Sequence, residues 1–84
     1  VQARRLWRGR MPTRTLRLNY PAALLRQPIL HQLIRTFDLS VNILRAQISL
    51  EEGWLEVQAD GPESELDRAQ AWLKEQGIEV ILMN

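Results

Sequence analysis

An asparagine interrupts the strand-forming run Val41-Asn42-Ile43-Leu44-Arg45-Ala46-Gln47-Ile48, a position that strands disfavour. Its amide can both donate and accept hydrogen bonds, which complements the carboxylate and ammonium of a zwitterion. Ile43 and Leu44 beside it could line the place for an aliphatic or thioether tail, so Asn42, Ile43 and Leu44 are the candidate ligand-binding residues. The competing reading is structural, with the Asn42 amide securing backbone groups of the Gly61-Pro62 loop. On the residues alone, both stay open.

Other reactive chemistry is scarce. His31 is the one histidine, and with no Ser, Cys or second His in a recognisable constellation it reads as a solvated side chain, not a general base. The absence of cysteine excludes disulfides, thiolate metal sites, iron–sulfur ligation and a cysteine nucleophile. Glu51, Glu52, Glu63, Glu65 and Asp67 fit turn chemistry and a positive helix end, and their spacing is not that of a calcium loop. No catalytic residue, metal site or cofactor is expected, and the chain is not expected to be an enzyme.

The 84 residues, 45% hydrophobic and 25% charged, suffice for one small core. A formal charge of +1 hides an asymmetry. Arg4, Arg5, Arg8, Arg10 and Arg14 precede the first core element, while residues 15–84 hold six basic and ten acidic side chains, a net −4. Residues 1–13 are expected to form a disordered basic tail ahead of a domain at 14–84. No apolar run reaches the ~18–20 residues of a membrane span, and the basic end lacks a secretory apolar segment, so a cytoplasmic setting is expected.

The elements that would position Asn42 follow from periodicity. Thr13–Asn19 alternates as a strand, and Tyr20-Pro21 stops it. Pro28 suits a first helical residue, followed by Ile29, Leu30, Leu33, Ile34 and Phe37 in a helix ending near Asp38. A hairpin of Val41–Ile48 with Gly53–Asp60 comes next, turning at Glu51-Glu52 with Gly53 supplying backbone freedom. Its expected register pairs Ile48 with Leu55, Ala46 with Val57 and Leu44 with Ala59, and places Asn42 inward, opposite Gly61. Ser64 with Asp67 resembles a capping box for a second helix carrying Leu66, Ala69, Trp72 and Leu73. Gly77 closes that helix and Ile78–Met83 is the last strand.

Strand, helix, strand, strand, helix, strand with right-handed crossovers gives an α+β, ferredoxin-like βαββαβ fold: one four-stranded antiparallel sheet with two helices on one face. The first hairpin strand and the last strand are then the two edges. The uncovered face would carry Val41, Ile43 and Trp54, with Ile81 and Met83, too apolar to be merely wetted. Val41, Ile43, Arg45 and Trp54 are the candidate dimer or partner interface. RNA binding is not expected, because the central strands present Thr15, Arg17, Asn19, Glu56, Gln58 and Asp60 outward and not stacked aromatics.

Asn42-Ile43-Leu44 within its strand, Pro28 before a helix ending in Phe37, and Ala69-x-Ala71-Trp72-Leu73 before a closing apolar strand resemble the NIL domain, named for its Asn-Ile-Leu motif. The likeness covers about Arg14 to Leu82. It implies an ACT-like regulatory domain of the kind found at the carboxy terminus of bacterial methionine importers, dimerising through its sheet and binding methionine or a similar small amino acid near the pairing. The motif asparagine falls on Asn42. No glycine-rich nucleotide loop and no cysteine-rich ferredoxin segment occur in these residues, so a free-standing bacterial domain is expected. The alternative is a ligand-free adaptor that recognises a protein partner by the same edge and face.

Overall fold

The computed structural model describes residues 12–83. Strand β1 (Thr13–Pro21) leads through a short 3-10 turn (Ala22–Leu24) to helix α1 (Ile29–Thr36), then to β2 (Ser40–Ile48), β3 (Glu52–Asp60), α2 (Glu63–Glu75) and β4 (Glu79–Leu82). The sheet runs β2-β3-β1-β4 and every adjacent pair is antiparallel, as in the expected ferredoxin-like arrangement. Thr13 opens β1, so it belongs to the domain and not to the tail, whose residues 1–11 lie outside the described residues.

Alternation along β1 and β3 sends Leu16, Leu18, Leu55, Val57 and Ala59 to the helical side, where they meet Ile29 and Leu33 of α1 and Leu66, Ala69 and Leu73 of α2 in a single core. Phe37 and Trp72 close its rim edge to face, with ring centres 6.0 Å apart. Burying these side chains supplies most of the free energy available to so small a domain.

The hairpin register differs from the expected one. Ile48 pairs with Gly53, Ala46 with Leu55 and Arg45 with Glu56, whereas Ile43 pairs with Val57, Asn42 with Gln58 and Val41 with Ala59. Leu44 is the extra residue of a β-bulge between the two halves. A regular strand cannot put Val41 and Ile43 on the same side as Ala46 and Ile48, because the two sets are out of phase. One inserted residue resolves the conflict. Beyond the bulge the parity reverses: Val41, expected on the uncovered face, is buried at 1% exposure, and Asn42, expected inward, is exposed on the open face. Asn42 is therefore not opposite Gly61, and the loop-securing reading loses its geometry.

The turns are also built differently from the expected ones. The Ser49 hydroxyl accepts from the Glu51 and Glu52 N–H groups and donates to the Glu52 carbonyl, fastening the hairpin loop. Gly53 lies inside β3 without a positive φ, and its role is space: a Cβ there would stand 2.7 Å from Leu25 Cδ2. Pro28 caps α1 from just outside it, and Pro62 does the same for α2, so the Ser64–Asp67 capping box does not form. Glu65 instead accepts from the Asp38 N–H at 2.9 Å, tying α2 to the α1–β2 link. That hydrogen bond, helped by Arg68, holds the Glu65 carboxyl below the usual range. Gly77, at φ 99°, ends α2 as expected.

Gly61 lets β3 leave the sheet against the start of β2, since an added Cβ would lie 2.9 Å from the Asp38 carbonyl oxygen and 3.0 Å from Leu39 Cβ. Gly61→Ala should lower stability by about 1–3 kcal/mol through overpacking against backbone. Denaturant unfolding measures this, with Gly53→Ala as the informative comparison because its clash is with a movable side chain.

Candidate functional site

On the open face, antiparallel pairing brings three strands' polar residues into one cluster. Glu56, in the middle of β3, is only 6% exposed although its face has no helices over it. Arg45 from β2 covers it, with Nε and Nη2 each 2.7 Å from Glu56 Oε1. Arg17 from β1 approaches the other carboxylate oxygen at 3.7 Å and lays its guanidinium over the Trp54 ring, 4.2 Å from the centroid. Arg45 reaches the same ring at 5.9 Å. A buried carboxylate needs such partners, and both guanidiniums also lie within cation–π reach of the indole. Arg17 is further oriented by Asn19, whose amide nitrogen donates to Glu79 at 2.7 Å.

Arg45 and Trp54 thus stand together on the open face, as expected. Ile43 and Leu44 lie at the β2 edge, at 48% and 51% exposure. Ile43 is on the helical side, beyond the cover of the helices, so it shares the edge with Arg45 and not its face. Asn42, Ile43 and Leu44 form a contiguous exposed stretch at the bulge, while Val41 beneath them belongs to the core.

A cleft that sequence reasoning missed lies at the other end of the hairpin. It measures about 200 Å³, with buried Ile29 and Leu55 as its floor, Tyr20 and Leu25 as walls, and His31 and Ile48 at the rim. Residues of β1, the connector, α1 and both hairpin strands build it, and only Gly53, which makes room for Leu25, signals it locally. Burial pushes the Tyr20 hydroxyl up to about 12, from an ordinary value of 10. The neutral phenol is the form the folded state favours. Folding stability should therefore be unaffected below pH 10 and fall as pH rises from 10 through about 12. Tyr20 is the one tyrosine in the chain, so ultraviolet titration reads it directly, and Tyr20→Phe should abolish this alkaline loss.

The comparisons with known proteins agree with this architecture. The family described as NIL domain matches residues 14–81. A methionine import ATP-binding protein of Halalkalibacterium halodurans is 34% identical over 71 residues, 80% of this chain and 21% of the relative. One from Burkholderia ambifaria is 39% identical over 69 residues, covering 77% and 20%. The chain spans about a fifth of the length of these curated relatives. The crystal structure of the C-terminal domain of an ABC transporter ATP-binding protein from Enterococcus faecalis superposes with a TM-score of 0.76 at 20% identity, covering 84% of this chain and 83% of that one, and shows the same fold. With its signature stretch on the bulged edge strand and the family match running from β1 into β4, the chain belongs to the NIL domain family.

Proposed function

We propose that this domain is a non-enzymatic regulatory module that dimerises through the β2 edge and binds a small amino acid such as methionine beside Asn42. The observation that carries this reading is the exposed edge itself. Ile43 and Leu44 put apolar surface around the bulge, at a strand whose outer backbone groups have no neighbour within the sheet. A second copy brought there would cover both, and the Asn42 amide next to them is placed to meet the polar head of a zwitterion. The methionine import proteins among the relatives support methionine as the first amino acid to test. Among the described residues no helix is long and apolar enough to cross a membrane.

One observation favours the ligand-free adaptor instead. The apolar cleft of the single domain lies at the opposite end of the hairpin from Asn42, so a ligand site at Asn42 depends on pairing to enclose it.

Sedimentation at micromolar concentration should show a species of about twice the 9.8 kDa chain mass. Ile43→Lys should shift it to monomer, because a charge would be buried at the interface without a partner. A wild-type monomer at hundreds of micromolar would refute the dimer.

Asn42→Ala should weaken methionine binding in a calorimetric titration by roughly 1–3 kcal/mol, the scale for losing a hydrogen bond to a charged group. Because Asn42 is exposed, the stability of the unliganded domain should change by no more than ~0.5 kcal/mol. Methionine binding that is saturable but indifferent to Asn42→Ala would move the ligand elsewhere, and no saturable binding of any amino acid would leave the adaptor.

A further inference from the structure

A second copy can meet either half of the bulged β2 edge, and the two halves differ in charge. Ser40–Ile43 holds no charged residue. Arg45–Ile48 opens on a cation and leads into a loop with Glu51 and Glu52, so its two ends are opposite in sign. Such a segment complements itself when a two-fold axis sets it antiparallel to its copy, because each positive end then meets a negative one. The Arg45 side chain stays 68% exposed despite its bonds to Glu56, so it can face a further carboxylate. The same end of the hairpin carries the two most exposed large apolar side chains among the described residues, Ile48 at 67% and, in the loop, Leu50 at 96%.

Side-chain parity limits the register, since paired residues must face the same side, which puts the axis through a residue of the segment. An axis through Arg45 or Ala46 sets the two Arg45 side chains opposite or diagonal to each other, where like charges repel. An axis through Ile48 draws Ser49 to Glu51 into the ladder, yet the Ser49 hydroxyl already closes that loop on itself. An axis through Gln47 has neither fault. It sets Ala46 against Ile48 of the second copy and Arg45 against its Ser49, with its Glu51 on the diagonal.

We propose that two copies pair through Arg45–Ile48 about an axis at Gln47, and that the hairpin tip of each completes the amino-acid site of the other. This rests on the dimerisation and amino-acid binding proposed above. Leu50 lies three residues from the axis on one side and Leu44 three on the other, roughly 10 Å each at ~3.3 Å per residue, so the tip of one copy comes beside the Asn42–Leu44 stretch of its partner. The two copies bring different chemistry. Asn42 and Arg45 present donors to a carboxylate, and Leu50 of the second copy adds an aliphatic wall to Ile43 and Leu44. Glu51 of the second copy supplies the counter-charge for an ammonium, which the Asn42–Leu44 stretch lacks.

The chain has no cysteine, so single cysteines report the register. Gln47→Cys should give a disulfide-linked dimer on mild oxidation, because directly opposed residues of antiparallel strands stand ~4.5–5.5 Å apart at Cα, within disulfide range. Asn42→Cys should not. In calorimetric titration with L-methionine, Glu51→Gln should weaken binding about 10-fold. Mixing the Asn42→Ala and Glu51→Gln variants should bring back a class of sites with wild-type affinity, since each mixed pair keeps one site in which both residues are intact. A wild-type monomer overturns this proposal together with the dimer reading. A dimer that cross-links through Asn42→Cys and not through Gln47→Cys keeps that reading and overturns the pairing proposed here. Methionine binding indifferent to Glu51→Gln, or no recovery on mixing, overturns the shared site and leaves the ligand on one copy, whereas no saturable methionine binding removes the shared site and the amino-acid reading alike.

Discussion

Strand β2 carries two apolar sets that no regular strand can place on one face, and the bulge at Leu44 is the device that reconciles them. On its near side Val41 enters the core opposite Ala59, and on its far side Ala46 faces Leu55. The same half-step decides the polar residues. It turns Asn42 to the open face beside Gln58 and brings Arg45 opposite Glu56, where the buried carboxylate requires a cation. Without the inserted residue, either Val41 would leave the core for the open face, or Ala46 would turn away from the helical side and Arg45 away from Glu56. Such a one-residue slip exchanges every inward side chain for an outward one.

Element order, strand order, the two edges and the outward set on the central strands were legible in the sequence, because Leu16, Leu18, Val57 and Ala59 alternate without ambiguity and α1 has one apolar stripe. The register of β2 was not, although its cause is visible in retrospect: the phase change between Ile43 and Leu44. A single continuous alternation carried from Leu44 to Val41 turns Asn42 inward and Val41 outward. The helix starts were missed for a different reason. Prolines 28 and 62 occupy the residues just outside the helices, where propensity patterns resolve position only to a residue or two. The cleft could not be found by pattern at all, since its walls come from β1, the connector, α1 and the hairpin.

The two faces of the sheet are held by different physics. The helical face is a dry aliphatic core, whereas the open face is organised by a carboxylate with two guanidiniums and an indole. Breaking the first costs packing, spread over many contacts. Breaking the second by removing one arginine leaves part of a buried charge without its partner, a loss concentrated on one group. The open face can consequently stay ordered without a covering layer, leaving the sheet free to meet another molecule.

The bulge also bears on what the chain must avoid. An uninterrupted nine-residue edge would offer a flat template for any passing strand, the route by which sheet proteins grow into fibrils. With Leu44 unpaired in the middle, the exposed ladder divides into Ser40–Ile43 and Arg45–Ile48, offset and twisted relative to each other. An incoming strand of regular geometry can match one half only, about 13 Å of contact at ~3.3 Å per residue, too short to hold without side chains shaped for it. The irregularity that lets β2 fold thus restricts what can add to it, so indiscriminate self-association is suppressed at the same edge where a specific partner would dock.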